Sequence, residues 1–316
     1  MKKILFCLFF VLGAMSVVAQ SKVYFTKDIS PEGLVKVYKA LGRKAKGRVA
    51  VKISTGEPGG KHFLQPSLIK DLVQKVDGTI VECNTAYNGP RFNTESHKKA
   101  ARDHGFYDIA DVDIMDETGD LKIPVQDTTR MKYNIVGANM ANYDFMINLA
   151  HFKGHQMGGF GGVLKNASIG VASRSGKTYI HSAGRIEDVK KIWRYTNDQD
   201  GFIECMAAAA QAVHNYFDNG KKILYINVMN NLSIDCDCNG NPAAPQMKDV
   251  GILASLDPVA LDKACLDIVF GHESKEGDTS EPLIKRINSL HGTWIVEYAE
   301  KIGLGSQTYK LIDIDK

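Results

Sequence analysis

Residues 49–83 read VAVKISTGEPGGKHFLQPSLIKDLVQKVDGTIVEC. A β-branched run, VAVKIS, ends at Ser54 and passes through the turn-rich STGEPGG into a helical pattern, SLIKDLVQKV; a second β-branched run, TIVEC, follows and ends at Cys83. Strand, loop, helix, strand is the repeating unit of a parallel sheet, because parallel neighbours need a crossover long enough to hold a helix. The same order recurs downstream. ESHKKAARDHG stops on Gly105, FMINLA ends at Ala150, KILYINV ends at Val228, and GILAS leads through Asp257-Pro258 into VALDKACLDIVF, with proline in the first helical turn. The predicted fold class is α/β: a mostly parallel sheet with helices on both faces, as one large domain over 20–316 or as two lobes (20–144 and 145–316), with a cleft at the strand C-terminal ends. Asp111 to Arg130 reads as a small hairpin or a polar excursion between lobes, and Gly184 to Gly201 as a polar connection to the alanine-rich helix MAAAAQAVHNYF.

In open α/β sheets ligands bind beyond the carboxyl ends of the strands. The unusual segments fall there: Ser54 to Gly60 (STGEPGG), Asn84 to Arg91 (NTAYNGPR), the run from His151, and Asp235 to Pro245 (DCDCNGNPAAP). They are expected to converge on one cleft.

The run His151 to Lys177, HFKGHQMGGFGGVLKNASIGVASRSGK, joins histidines, cations and glycines with almost no core pattern. His155 has the residue type for acid/base work near neutral pH, and Lys165 and Lys153 are cations able to polarise a carboxylate or, with a depressed pKa, to act as nucleophiles. These three are the candidate catalytic residues. Arg91 offers a bidentate guanidinium and Thr85 and Tyr87 offer hydroxyls for an anion, with Asn166, Arg174 and the backbone at Gly159 and Gly162 as further contacts. His151, at a strand end, is expected to lock the loop through a backbone hydrogen bond. The Walker spacing is not met, because Lys165 precedes Asn166, and no G-x-G-x-x-G occurs in this run, so neither NAD nor a flavin is expected.

Cys236-Asp237-Cys238 places two sulfurs on one side of an extended segment. They read as ligands of one metal ion, iron, zinc or nickel, completed by His155 or His181; the other readings are a redox-active dithiol or disulfide, or two inert thiols. Cys205 and Cys265 lie among apolar helical neighbours and read as buried small hydrophobes. Asp257 and Asp262, in LDPVALDKA, read as capping and solvating the start of a helix.

The chain begins MKKILFCLFFVLGAMSVVAQ, a basic pair, an apolar run and small residues at Val17 and Ala19, which predicts a signal peptide over 1–19, cut after Ala19, and an exported protein with no stable membrane insertion after cleavage. Cys7 lies within the apolar run, which argues against a lipid anchor. The 316 residues carry 39 basic and 36 acidic side chains, a balance that disfavours nucleic acid as a partner.

KISTGEPGG, ECNTAYNGPR, HFKGHQMGGFGGVLKN, ASRSGK, DCDC and DVGILASLDPVALDKACLDIV, in that order, resemble the DUF362 family, over nearly the whole chain after residue 19. Many members of that family carry a cysteine-rich, ferredoxin-like insertion soon after the segment matching SGKTYIHS. This chain has no cysteine between His181 and Phe202, so the resemblance implies no 4Fe-4S cluster here. His155, Gly159, Phe160, Gly162 and Lys165 also fit H-x-x-x-G-[FY]-x-G-x-x-K, which is similar to one loop of the nickel-pincer lactate racemase family. That likeness implies an acid/base role for His155 and a cofactor anchor at Lys165.

Together these readings predict an exported metalloprotein acting as an enzyme, isomerase-like or oxidoreductase, on a small anionic carboxylate metabolite by proton or hydride transfer. The alternatives are a redox or metal-carrying protein that uses Cys236 and Cys238 with a redox partner protein and turns over no substrate, and a small-molecule binding protein.

Overall fold

Alternation within the strands explains why the sheet is covered twice. Val49 and Val51 join one apolar core while Ala50 between them joins another; Ile147 and Leu149 separate in the same way from Met146 and Ala150, and Leu224 and Ile226 from Ile223 and Tyr225. Successive strand residues point to opposite faces, so two buried sets on one strand mean two covering layers.

The computed structural model describes residues 20–316, and the expected signal peptide at 1–19, with Cys7, lies outside the described residues. In chain order the elements are β1 (Ser21–Thr26), α1 (Pro31–Ala40), β2 (Val49–Lys52), α2 (Pro66–Lys75), β3 (Gly78–Glu82), α3 (Thr94–Asp103), β4 (Val112–Ile114), β5 (Asp120–Ile123), β6 (Asn134–Gly137), β7 (Phe145–His151), β8 (Lys153–His155), β9 (Gly159–Gly161), α4 (Val163–Ser168), α5 (Arg174–His181), α6 (Gln199–Tyr216), β10 (Ile223–Met229), β11 (Gly251–Ser255), α7 (Pro258–Phe270), α8 (Glu281–Ser289), α9 (Trp294–Lys301) and β12 (Tyr309–Asp313). Eight strands form one sheet in the order β12-β1-β11-β10-β7-β2-β3-β4. It is mostly parallel; β11 alone runs against both of its neighbours, β1 and β10. Apolar residues of α1, α2 and α3 cover one face, and residues of α4 to α9 cover the other.

The α/β class is as the sequence predicts, and Gly105 does end its helix segment in the left-handed region, at φ 82°. The two lobes are a different matter. β7, which opens the second expected lobe, pairs with β2 from the first and β10 from the second, so one sheet runs through both 20–144 and 145–316. Parallel strands take neighbours through crossovers, which ties the two segments together rather than separating them. The excursion expected at Asp111 to Arg130 likewise supplies β4 to the main sheet and β5 to a small pair with β6.

One short helix is placed with special care. α4 follows the hairpin β8–β9 directly, and Gly162, at its N-terminus, has no side chain to cap the free amides. The cap comes from α7: Asp262 accepts from Val163 N (2.9 Å) and Leu164 N (2.9 Å), and from Asn227 Nδ2 of β10 (2.7 Å). A side chain at 162 would overlap the Asp262 carboxylate, which accounts for the glycine. The sheet adds two more ties. Asn148 of β7 donates to Val163 O (2.9 Å), and Asn166 donates to Asn148 Oδ1 (2.7 Å) and Lys52 O (3.0 Å) while accepting from Lys52 Nζ (3.1 Å). Lys52 and Asn148 stand opposite each other in register, so polar residues from two adjacent strands meet one helix, and Asn227 of the next strand holds the carboxylate that caps it.

Asp262 therefore does not solvate the start of its own helix, as expected from sequence; it is fully buried, and burial pushes its pKa up to about 6 despite the three hydrogen bonds it accepts. Asp257 does cap α7, accepting from Val259 N and Ala260 N. Replacing Asp262 by alanine leaves three buried donors without partners, at roughly 1 kcal/mol or more each. Asp262→Ala is expected to lower unfolding stability by about 3 kcal/mol in a denaturant titration, and a loss below about 1 kcal/mol would contradict the capping role.

Candidate active site

β2, β3, β7 and β10 are parallel, so their carboxyl ends share one edge of the sheet. The loops after them, with α4, α5 and the segment holding Ile192 and Trp193, enclose a cavity of about 400 Å³. All four segments singled out in the sequence contribute a wall, the first through Ser54. Among the described residues no helix is long and apolar enough to cross a membrane.

Most of the charge around this cavity is matched within the protein. On one side Arg91 pairs with Glu57 (Nε to Oε1, 3.0 Å) and with Glu82 (Nη1 to Oε1, 3.2 Å), and Lys52 pairs with Glu82 (3.3 Å). Burial alone would push the Glu82 carboxyl up, but Lys52, the His97 ring 3.9 Å away and Arg91 hold it well below the carboxylate range. Arg91, expected as an anion clamp, lines the cavity with its guanidinium paired to the protein's own carboxylates. Tyr87 donates to Glu57 Oε1 (2.9 Å), and Thr85 donates to Tyr87 O (3.1 Å), so both hydroxyls hold the loop rather than a ligand.

On the other side Asp237 is the hub. Lys153 Nζ donates to its Oδ1 (3.0 Å) and to His62 O (2.8 Å), while His151 meets its Oδ2 through Nδ1 (2.9 Å) and Asn230 O through Nε2 (2.7 Å). Burial opposes the Asp237 charge, yet His151 and Lys153 outweigh it and keep the pKa low. His151 locks its loop as expected. Lys153, expected to be catalytic, is instead committed to this clamp, which joins three loops.

Asn166 does line the cavity, with its amide engaged in pinning α4. Two further expectations are corrected by position. Arg174 does not line the cavity; its guanidinium lies over the Phe92 ring, 3.6 Å from the centroid. Gly159 has φ +79° at the hairpin turn and packs against Gly292, away from the cavity, whereas Gly162 does line it.

What remains free faces the cavity. Lys165, on α4, makes no hydrogen bond or ion pair among the described residues, in contrast to Lys52, Lys153 and Lys177. Burial, then the nearby charges of Lys52, Lys177 and Arg91, lower its pKa to about 8, with Asp237 opposing them. His155 and His181 line the same cavity in opposite hydrogen-bonding states. His155 Nδ1 accepts from Gly158 N (2.9 Å) and Met157 N (3.2 Å), which leaves the ring proton on Nε2. His181 Nδ1 donates to Lys177 O (2.6 Å), which leaves Nε2 bare. Burial, followed by the Lys165 charge, drives the His155 pKa well below its usual value; burial takes His181 to about 4. Both rings are therefore neutral at pH 7.

Cys236 and Cys238, expected as metal ligands, are bonded to each other as a disulfide, with Cα atoms 5.2 Å apart. Their sulfurs and a ring nitrogen of His155 nevertheless lie within 4.8 Å of one another, a grouping of donors with the composition of a metal site. The remaining thiols among the described residues, Cys83, Cys205 and Cys265, are free and buried.

The sequence reading passed over Glu82, Asp237, Asn148, Asn227 and Lys177. A signal was present for four of them: a charged or amide side chain inside a β-branched run, as in TIVEC, FMINLA and KILYINV, or between two cysteines, needs a partner if it is buried.

With this geometry in hand the chain can be placed among known proteins. Residues 49–267 match the model of the family described as a domain of unknown function, DUF362, and the chain belongs to that family. No curated protein matches. Similar solved structures include the lactate racemase apoprotein from Thermoanaerobacterium thermosaccharolyticum, at 14% identity and a TM-score of 0.36, covering 66% of this chain and 50% of that one. They also include a crystal structure of a protein from Thermotoga maritima, at 11% identity and a TM-score of 0.41, covering 86% and 58%. The chain thus spans 50% and 58% of the lengths of these two proteins.

The two histidine states are directly measurable. Two-bond nitrogen–proton NMR spectra of the rings are expected to show His155 protonated only at Nε2 and His181 only at Nδ1 from about pH 6 upward. An imidazolium at either position in that range contradicts the assignment.

Proposed function

We propose that this protein is a metal-associated enzyme acting on a small carboxylate by proton transfer, with Lys165 as the group that receives the anion. The observation that carries this reading is the imbalance inside the cavity: among the described residues each other lysine there is bonded within the protein, and Lys165 is not. An ammonium held in a partly desolvated cavity without a counter-ion is stabilised by any carboxylate that enters. The cavity, at about 400 Å³, suits a small metabolite.

The imidazoles supply the chemistry. His181 presents a bare Nε2 that accepts a proton, and His155 presents an Nε2–H that donates one, so a ligand held by Lys165 meets an acceptor and a donor already fixed in direction. A metal held by Cys236, Cys238 and His155 would polarise a substrate oxygen. In that state His155 serves as a ligand and His181 remains the base. The substrate class we favour is the small 2-hydroxy or 2-oxo carboxylates, in keeping with the similarity of the His155 to Lys165 loop to that of the lactate racemase family.

Lys165→Met tests the reading without requiring turnover. A charge-assisted hydrogen bond contributes roughly 1.5–3 kcal/mol, so the variant is expected to bind a panel of small carboxylates about 10- to 100-fold more weakly by calorimetry. Affinity of the native protein should also fall as pH rises through about 8, where Lys165 loses its charge. Equal affinity of native protein and variant would overturn the proposal.

We also propose export, on the strength of the basic pair and apolar run before Gln20. The Cys236–Cys238 disulfide suits an oxidising compartment. The mature protein should begin at Gln20, which N-terminal sequencing after expression in a secreting host decides.

A further inference from the structure

The disulfide and the donor group describe the same two sulfur atoms, and they cannot act in both ways at once. A sulfur in a disulfide carries no thiolate charge and is a poor metal ligand; a thiolate is a strong one. We infer that Cys236, Cys238 and His155 form a redox-gated site for a borderline divalent metal, closed when the sulfurs are joined and open when they are reduced. This rests on the metal-associated reading of the cavity, but not on Lys165 or on any substrate.

The loop is held in place by contacts that do not depend on the disulfide. Asp237, between the two cysteines, is clamped by His151 and Lys153, and its carbonyl accepts from Glu57 N (2.8 Å). Asn239 N donates to Cys236 O (3.1 Å), and Asp235 accepts from Ala243 N (3.0 Å), while the Tyr87 hydroxyl, which donates to Glu57, packs 3.3 Å from Cys238 O. These contacts hold the backbone at both cysteines without the disulfide, so the two thiols formed by reduction remain beside His155 and little ordering is left for a metal to impose.

The chemistry balances as follows. An external dithiol gives two electrons and two protons to the Cys236–Cys238 bond and is itself left as a disulfide. The divalent metal then displaces the two thiol protons to solvent and gains two anionic ligands. His155 is the weaker member, because its Nδ1 is already engaged by two amides: binding there displaces them, and binding at Nε2 moves the ring proton to Nδ1 and breaks the same contacts. Cys83 lies on the same wall without joining the site. Burial, then Asp116, pushes its thiol pKa far up, so it stays protonated.

The test is a zinc titration of the mature protein, against a chromophoric chelator, in the oxidised form and after reduction by a dithiol that is then removed without oxygen. Zinc is the probe because it neither oxidises nor reduces thiols. The reduced protein is expected to take one zinc at least ~100-fold more tightly than the oxidised protein. Cys236→Ser and Cys238→Ser should abolish the gain, and His155→Ala should reduce it about tenfold. Where a serine variant fails to fold, native protein reduced and then alkylated at these two positions, located by mass spectrometry, must lose the site in the same way. Equal binding by both forms, or no binding by the reduced form, overturns the inference. The carboxylate affinity of the oxidised protein is a separate readout, so loss of one leaves the other standing.

Discussion

The cap that Asp262 places on α4 is the interaction on which the rest of the structure depends. α4 is too short to hold its own position by helical hydrogen bonding, and it begins at a glycine that cannot cap it. A carboxylate from α7 binds its first amides, and Asn148 and Lys52 reach it from the sheet. These are buried polar contacts, so each is costly to break and each fixes direction as well as distance. Lys165 owes its place at the cavity, and its lack of a partner, to this fixation.

The second constraint is electrostatic. A cavity that gathers Lys52, Lys153, Lys165, Lys177 and Arg91 would repel itself open unless most of that charge were answered. Glu57 and Glu82 answer Arg91 and Lys52, Asp237 answers Lys153, and Lys177 is met by backbone carbonyls. The pairing is incomplete at one position only among the cavity's lysines. There the surrounding cations lower the pKa of the free ammonium and at the same time leave the cavity with a surplus of positive charge for an anion to meet.

The fold was legible because strand periodicity and glycine or proline stops are local signals. VAVKIS, FMINLA and KILYINV show their strand character within a few residues. The convergence of the four loops was legible too, since parallel strands place their carboxyl ends together. Pairing was not. Lys165 and Lys153 look alike in the sequence, and what distinguishes them is Asp237, 84 positions from Lys153. Arg91 reads as a free clamp until Glu57 and Glu82 are brought beside it. The strand order was not legible for a similar reason: the neighbours of β7 come from both sides of the chain, and periodicity says nothing about which strands become neighbours.

Lys165 is, among the described residues, the unpartnered ammonium of the cavity, and its titration tests most directly whether it receives an anion. Carbon–nitrogen NMR of the labelled lysine side chain, with Lys165→Met to assign the signal, should give a pKa near 8 in the free protein and a higher one when a small carboxylate is bound. A titration near the ordinary lysine value of about 10.4, with no response to carboxylate, would contradict the account.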